Sequence, residues 1–459
     1  MSEKKKTKST KEVTFKHLLS PYKVGPVELK NRIVLAPMNE VMSGMDGAVT
    51  EQLMSYFAAR AKGGAGWLTV GAIMATKMCS NYVWGRNLQL YRPGHLQGMD
   101  MLLQRLHYFG AKVAAQMSMG FGRQGHSEDH NEPVPAPTGG LPYEIGFEDG
   151  PQTLMNLMEV AETPREFLVG QQTREMTIAE IHSEQKEYAQ NCQLAVTAGF
   201  DIIEIHAPHG YLEHTFLSPL TNKRTDMYGG EWRNRKRILI ETAEQIRYAC
   251  PGVAVGVRIS AEEHFEGGLT EEEMIDVAQD MEKIGLDYIS LSDGGGYADG
   301  ALVPKMKWAK HIPEHGEAFK KALNIPVMVA SQHDPKKADA NMGAGKFDLQ
   351  ALGRQLFADP EYANKLMQGR HKEIVRCERC DMCLQRCMMQ LTPACPKNPR
   401  LGREYGFDEY KIGEWSEHES LIPEGLMRAP APALNRPWWR NELAIPEIPV
   451  KLRGRAAKS

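Results

Sequence analysis

The sequence predicts an α/β fold: a (β/α)8 TIM barrel followed by a cysteine-bearing segment and an extended arm. Three observations carry this reading. Eight short apolar or β-branched runs alternate with helical patterns between about residue 30 and residue 370. Polar and small residues stand at the ends of many of those runs, where a doubly wound sheet would gather its chemistry at one switch point. Beyond that stretch the rhythm stops, and five of the eight cysteines crowd between Cys377 and Cys395.

The strand candidates, in chain order, are 31–38 (NRIVLAPM), 67–73, 112–118, 200–207 (FDIIEIHA), 253–260, 288–293, 326–331 and 348–354. Helical periodicity fills most gaps, at 50–63, 98–109, 177–198, 231–249, 270–284 and 316–323, with shorter pieces at 335–342 and 360–368. Thr177 with Glu180, and Thr270 with Glu273, have capping-box spacing and mark two helix starts. Gly63-Gly-Ala-Gly66 reads as the helix stop before the second strand. Two segments break the rhythm. Residues 121–176, with their PVPAPTGGLP run, are too long for an ordinary βα loop and are expected to form an irregular lid. Residues 406–459 carry APAPALNRPWW and are expected to be an arm lying on the barrel or on another subunit. The organisation is therefore a basic tail (1–14), a barrel (15–370), a cysteine segment (371–405) and a proline-rich arm (406–459).

Composition narrows the function classes. With 55 Lys+Arg against 58 Asp+Glu the formal charge is −3, which does not suggest nucleic acid or an acidic membrane surface as partner. No run of about 18 apolar residues offers a membrane span. The N-terminus carries lysines but no apolar core of a secretory signal, so a cytoplasmic location is expected.

Two motifs bear on chemistry, and a third is a decoy. Gly120-Phe-Gly122-Arg-Gln-Gly125 matches the dinucleotide fingerprint, but HSEDHNEPVPAP behind it cannot start the helix that would hold a pyrophosphate. Cys377-x2-Cys380-x2-Cys383-x3-Cys387-x7-Cys395 is the most specific signal. Close C-x2-C steps let thiolates converge on one centre and a distant cysteine closes it, as a [4Fe–4S] cluster or a four-cysteine zinc site requires. Cys79, Cys192 and Cys250 stand alone and read as small core residues.

At the end of the fourth strand, period-two alternation puts Ile202, Glu204 and His206 on one face, the barrel interior. His209 and Tyr211 follow on the turn, so two imidazoles and a phenol can converge where barrel active sites form. Such imidazoles can hydrogen-bond a carbonyl oxygen, and a phenol can deliver a proton. Asn39 follows strand one, Gly71-Ala72 lies in strand two, Gln116 in strand three and Arg258 in strand five, and Gly353-Arg354 ends strand eight. Together they describe a pocket for a planar phosphorylated cofactor.

These residues resemble a known family. HAPHGYLEHTFLSPLTNKRTDMYGGEWRNRKR (206–237) is similar to the signature of the old yellow enzyme-like flavin reductases. The likeness extends through APM (36–38), RISAEEHFEGGLT (258–270), ALGRQLFADPE (351–361) and the cysteines, over roughly residues 15–405. The nearest branch is the iron–sulfur one, typified by 2,4-dienoyl-CoA reductase and trimethylamine dehydrogenase. The resemblance implies FMN in the barrel and a [4Fe–4S] cluster just after it. By carry-over, Pro37, Met38, Asn39, Gly71, Ala72, Gln116 and Arg258 would hold the flavin ring and ribityl chain. Gly353 and Arg354 would hold its phosphate, with Ser331 and Gln332 nearby. His206 and His209 would bind the substrate carbonyl, and Tyr211 would be the proton donor. In that branch three close cysteines are followed, after eleven residues, by a fourth, which implies Cys377, Cys380, Cys383 and Cys395 as ligands. Cys380, Cys383, Cys387 and Cys395 form the competing register.

The implied activity is an ene-reductase acting on an enone or an enoyl or aryl thioester, with electrons reaching FMN through the cluster. The amine dehydrogenases have tyrosine where His206 stands, which argues for alkene reduction over amine oxidation. A dehydrogenase or demethylase working in the oxidative direction, and an electron-transfer subunit of a larger complex, are the alternatives. Members of the branch continue into FAD- and NAD(P)H-binding domains, whereas this sequence ends about sixty residues after the cysteines. The electron source is therefore expected to be a separate protein or NAD(P)H acting directly, in a homo- or hetero-oligomer.

Overall fold

The computed structural model describes residues 15–82, 86–125, 132–140, 172–264, 266–294, 312–331, 333–380, 382–388 and 390–405. The expected basic tail and proline-rich arm, the middle of the 121–176 segment, and Gln332 lie outside the described residues.

A hairpin of β1 (Tyr22–Val24) and β2 (Val27–Leu29) precedes the barrel. The barrel strands are β3 (Ile33–Leu35), β4 (Trp67–Met74), β5 (Lys112–Ser118), β8 (Ile202–His206), β9 (Ala254–Ser260), β10 (Tyr288–Ser292), β11 (Val327–Ala330) and β12 (Leu349–Leu352). They pair in parallel, each with its neighbours in sequence, and β12 pairs with β3 to close the ring. All eight are the strands read from the sequence. Helices run between them at Glu51–Lys62, Leu96–Tyr108, Ile178–Ala198, Arg237–Ala249, Glu271–Ile284, Ile312–Ala322 and Pro335–Gly343. Both expected capping boxes form: Thr177 with Glu180 and Thr270 with Glu273. Gly63 ends its helix and Gly64 turns the chain at φ +94°.

Side chains alternate through the sheet, so the barrel interior is built in layers. The layer at the strand N-termini is apolar: Trp67, Ala114, Ile202, Ala254, Tyr288, Met328 and Leu349 pack with Val24, Val27 and Leu29 of the hairpin, which plugs that end. Trp67 and Tyr288 meet edge to face at 5.0 Å. Tyr288 fits because β9 passes beside it as Gly256, where a Cβ would lie 2.2 Å from the ring. The next layer is polar and buried, with Gln116, Glu204 and Ser290. The opposite, C-terminal end carries a cavity among the described residues.

Three expectations need correction in detail. The 231–249 helix is two pieces, Trp232–Arg235 and Arg237–Ala249. The helix expected at 316–323 starts earlier, at Ile312. The 121–176 segment is not irregular at its ends: β6 (Val134–Ala136) and β7 (Thr173–Glu175) pair in parallel, with Val134, Ala136, Thr173 and Met176 buried. The hairpin and the short helices Lys77–Asn81, Leu212–Leu217, Arg354–Ala358 and Met382–Met388 were not read from periodicity. Elements of three to seven residues show too few repeats to reveal a period, and their tertiary neighbours stabilise them. Among the described residues, the decoy glycines lie in and beside a single 3-10 turn, Gly122–Gln124. Among the described residues, no helix is long and apolar enough to cross a membrane.

Candidate active site

A cavity opens at the C-terminal ends of the strands. Ala36, Pro37, Met38 and Asn39 after β3, Gly71 and Ala72 of β4, and Gln116 and Ser118 of β5 form one side. His206 of β8, then His209 and Tyr211, Arg258 of β9 and Ser292 of β10 form the other. Ser331, His333, Gly353 and Arg354 line it beyond β11 and β12. Every cofactor residue expected from the sequence reaches this cavity except Gln332, which lies outside the described residues.

Two glycines hold the walls close. A Cβ on Gly71 would lie 2.6 Å from Cβ of Gln116, and one on Gly353 would lie 2.6 Å from Sδ of Met38. Ser331 takes the left-handed conformation at φ +77°, which turns the chain out of β11.

The three expected reactive side chains do converge. The His206 ring lies 4.8 Å from that of Tyr211 and 5.9 Å from that of His209, centre to centre. Phe121, from the end of the β5 segment, meets Tyr211 edge to face at 5.1 Å. His209 stands at φ +62°, and its backbone N–H donates to Ser260 Oγ (3.2 Å). Its Nε2 bonds Ser292 Oγ (2.6 Å), and Arg258 Nη2 donates to the same oxygen (3.1 Å). Burial, reinforced by the Arg258 guanidinium, drives both imidazoles well below the ordinary histidine range. They are therefore neutral at pH 7, able to donate a hydrogen bond without carrying charge. His206 Nδ1 is buried with no hydrogen-bond partner among the described residues.

Beneath them Glu204 is fully buried. Gln116 Nε2 donates to its Oε1 (2.8 Å) and the Tyr288 hydroxyl to its Oε2 (3.0 Å). Burial pushes this carboxyl up, while Arg258 opposes the shift. Glu204 thus orients Gln116 and balances Arg258, so that both present their outer ends to the cavity floor. It was read from the sequence only as an inward-facing strand residue, because period two gives direction but not partners.

A second, smaller cavity lies behind the first. Cys377, Cys380, Cys383 and Cys395 line it together with Arg354, Ala394 and Pro396. Burial raises the thiols of Cys383 and Cys395, the latter to about 11. Four thiols around one small volume match the donor set of a soft metal centre, whose charge would reverse that shift. Cys387 does not line this volume; it faces the larger cavity, as does Leu384. Arg354 and Cys383 border both cavities, so only their thickness separates the two. Cys79, Cys192 and Cys250 are buried and free, as expected.

Sequence reasoning did not single out Ser118, Ser292, Asn87, His333 or Phe357, which also line the large cavity. Ser118 and Ser292 stand at strand C-termini on the inward phase, which is the signal that could have found them. Asn87, His333 and Phe357 enter from loops and a short helix, where periodicity says nothing.

Residues 17–373 match the NADH:flavin oxidoreductase / NADH oxidase family. The chain belongs to that family. That family is one of flavin oxidoreductases, and the fold is shared with the old yellow enzyme homologue of Zymomonas mobilis (TM-score 0.62, 21% identity). The NADH oxidase of Thermoanaerobacter brockii is 32% identical over 410 residues, covering 86% of this chain and 58% of that protein. The cinnamate reductase of Clostridium sporogenes is 30% identical over 414 residues, covering 85% and 58%. Among solved structures, 2-naphthoyl-CoA reductase in complex with 2-naphthoyl-CoA superposes with a TM-score of 0.74 at 25% identity, covering 85% of this chain and 58% of that one. The chain thus spans a little under three fifths of the length of these relatives.

Proposed function

We propose that the protein is an ene-reductase that reduces a C=C bond conjugated to a carbonyl group, with FMN in the large cavity and a [4Fe–4S] cluster in the cysteine cavity. The observation that carries the reading is the meeting of His206, His209 and Tyr211 in one cavity with the strand ends that a flavin oxidoreductase uses for its cofactor. Relatives named for cinnamate and for 2-naphthoyl-CoA support a conjugated carbonyl compound as substrate. When bound, FMN supplies hydride-level reduction here, and the cluster supplies electrons one at a time.

The chain's own residues do the rest. Backbone at 36–39 and 71–72, with Gln116 and Arg258, would hold the flavin ring and ribityl chain, and Gly353, Arg354, Ser331 and Gln332 its phosphate. His206 and His209, neutral through burial, would donate hydrogen bonds to the substrate carbonyl. Those bonds strengthen as negative charge develops on the oxygen during attack at the β-carbon, which is differential stabilisation of the transition state. Ser292 and Arg258 fix the His209 ring from behind. Tyr211, held by its contact with Phe121, would deliver a proton to the α-carbon. Cys377, Cys380, Cys383 and Cys395 would ligate the cluster, leaving Cys387 on the flavin side. Electrons would come from a separate donor protein or from NAD(P)H.

Two variants test the reading. The Tyr211→Phe protein should bind FMN and keep its iron, yet lose alkene turnover by about 10²-fold or more. Measuring reoxidation of the dithionite-reduced protein by cinnamaldehyde or an enoyl thioester checks this, and undiminished turnover removes Tyr211 from the chemistry. The Cys377→Ser protein should keep FMN but lose four irons and acid-labile sulfide, whereas a Cys387→Ser protein should keep them. Iron lost from Cys387→Ser and retained in Cys377→Ser would overturn the ligand set.

A further inference from the structure

Outside both cavities, two histidines and three carboxylates converge at the mouth of the barrel. Glu262 and His264 come from the loop after β9, and Glu271 from the first turn of the next helix. Asp293 directly follows β10, and His315 lies in the helix Ile312–Ala322. Both imidazoles are buried, with side-chain exposures of 4% for His264 and 0% for His315. His264 is held there with its backbone in the left-handed region, at φ +62°.

Each ring has one nitrogen tied to a carboxylate on its outer side. His264 Nε2 bonds Asp293 Oδ1 (2.6 Å), and His315 Nδ1 bonds Glu271 Oε2. The inner nitrogens then face the same atom. Glu262 Oε2 lies 3.6 Å from His264 Nδ1 and 3.9 Å from His315 Nε2. Those separations exceed a hydrogen bond. They approach the spacing of about 3.4 Å between two ligands on a tetrahedral zinc ion with bonds near 2.0–2.1 Å. His315 Nε2 is buried and has no hydrogen-bond partner among the described residues, although a carboxylate oxygen stands in front of it. An imidazole whose outer N–H is held by a carboxylate while its inner nitrogen faces a shared point is the arrangement seen around bound zinc.

We propose that Glu262, His264 and His315 bind a divalent transition-metal ion, zinc by donor type, with Asp293 and Glu271 orienting the two histidines. Two nitrogens and one carboxylate suit zinc, leaving a fourth position for water. Glu262 is one-third exposed, which gives the ion a way in and water a place to bind. The site would fasten the loops after β9 and β10 and the helix of His315 to one another. It stands one residue from Ser292, whose hydroxyl bonds His209. Its role is therefore to hold the mouth of the cavity, independently of whether the reaction proposed above is right.

Metal analysis of the full-length protein tests this. After incubation with zinc chloride and exhaustive dialysis, the wild-type chain should hold one zinc in addition to any iron. His315→Ala and His264→Ala should lose that zinc. Cys380→Ser should retain it, which separates this site from a cysteine-bound zinc. Asp293→Asn and Glu271→Gln should weaken zinc about 10- to 100-fold in a competitive chelator titration. Should the histidine variants not fold, Glu262→Gln, with nearly the same shape, should still lower the affinity, and cobalt(II) in the wild-type protein should give a visible band that Glu262→Gln alters. A wild-type chain without zinc above background, or zinc unchanged in His315→Ala, His264→Ala and Glu262→Gln alike, overturns the proposal.

Discussion

Glu213 illustrates how one buried side chain sets a pH dependence. It follows Tyr211 by two positions, its side chain is wholly buried, and burial pushes its carboxyl up to about 8 from an ordinary value of 4.5. Between those two values the folded chain keeps a proton that the unfolded chain releases. The group's contribution to stability is therefore complete below pH 4.5, falls by ~1.4 kcal/mol per pH unit across the window, and is gone above about 8. Glu213→Gln removes the titration. Thermal melts of the two proteins should diverge in the variant's favour from pH 5.5 to 8 and run parallel above; parallel curves throughout would exclude Glu213 as the cause. The two site histidines shift the opposite way for their type. Depressed by burial, they stay neutral in the folded chain while the unfolded chain takes up protons as the pH falls below about 6.5. They favour the folded state above that pH and disfavour it below, so acid costs this protein stability just where its site is built.

At the scale of elements, the barrel strands and the loops after them do different work. The N-terminal halves of the strands pack an apolar plug, and the C-terminal halves present Gln116, His206, Arg258 and Ser292. The plug depends on the pairing of Gly256 with Tyr288. Gly256→Ala would put a methyl group 2.2 Å from a ring atom of Tyr288, whose hydroxyl also donates to Glu204. The expected cost is about 1–3 kcal/mol, typical of overpacking, together with a looser Gln116. Denaturant midpoints with and without FMN check it: a substitution that leaves both unchanged means the ring moves freely. Short elements on the rim, such as Leu212–Leu217 and Arg354–Ala358, owe their form to the barrel beneath them. Each starts immediately after a site residue, Tyr211 or Gly353, and so converts strand position into side-chain position.

For the whole molecule, the decisive contact is how the cysteine segment is fastened to the barrel. Arg60, fully buried in the helix Glu51–Lys62, donates to Glu404 Oε1 (2.5 Å), to Tyr56 O (2.7 Å) and to Leu356 O (3.2 Å). Gln52 donates to Gly402 O (2.6 Å), and Asn398 to Phe357 O (2.7 Å). Asp359 accepts from Lys365 and from the backbone N–H of Val375 (both 2.8 Å). Two of these contacts, Arg60 with Glu404 and Gln52 with Gly402, join residues more than 300 positions apart, and together they hold the four-cysteine cavity against the larger one. Glu404→Ala leaves a buried guanidinium without its partner, a change that typically costs about 3–5 kcal/mol. The segment should lift rather than leave that charge dry. Amide exchange over 382–405 should rise roughly a hundredfold or more while β8 and β9 stay protected. Equal acceleration everywhere would mean that Arg60 and Glu404 stabilise the barrel as a whole instead of the joint.

Much of this was legible in the residues alone. Eight strands, both capping boxes, the inward phase of Ile202, Glu204 and His206, and the cysteine spacing follow from local periodicity and local chemistry, which act over a few residues. The hairpin that plugs the barrel escaped that reading, because three-residue strands have no period to detect. So did the joint made by Arg60, the serines behind His209, and the separation of Cys387 from the other four cysteines. Glu262, His264, Glu271, Asp293 and His315 lie up to 53 positions apart, and no spacing rule links them. The sequence by itself determined the barrel, the family signature and the set of candidate reactive side chains, since each is written in neighbouring residues. Only the tertiary structure decided which of those side chains share a cavity, because that depends on how closure of the barrel brings distant loops over its C-terminal end.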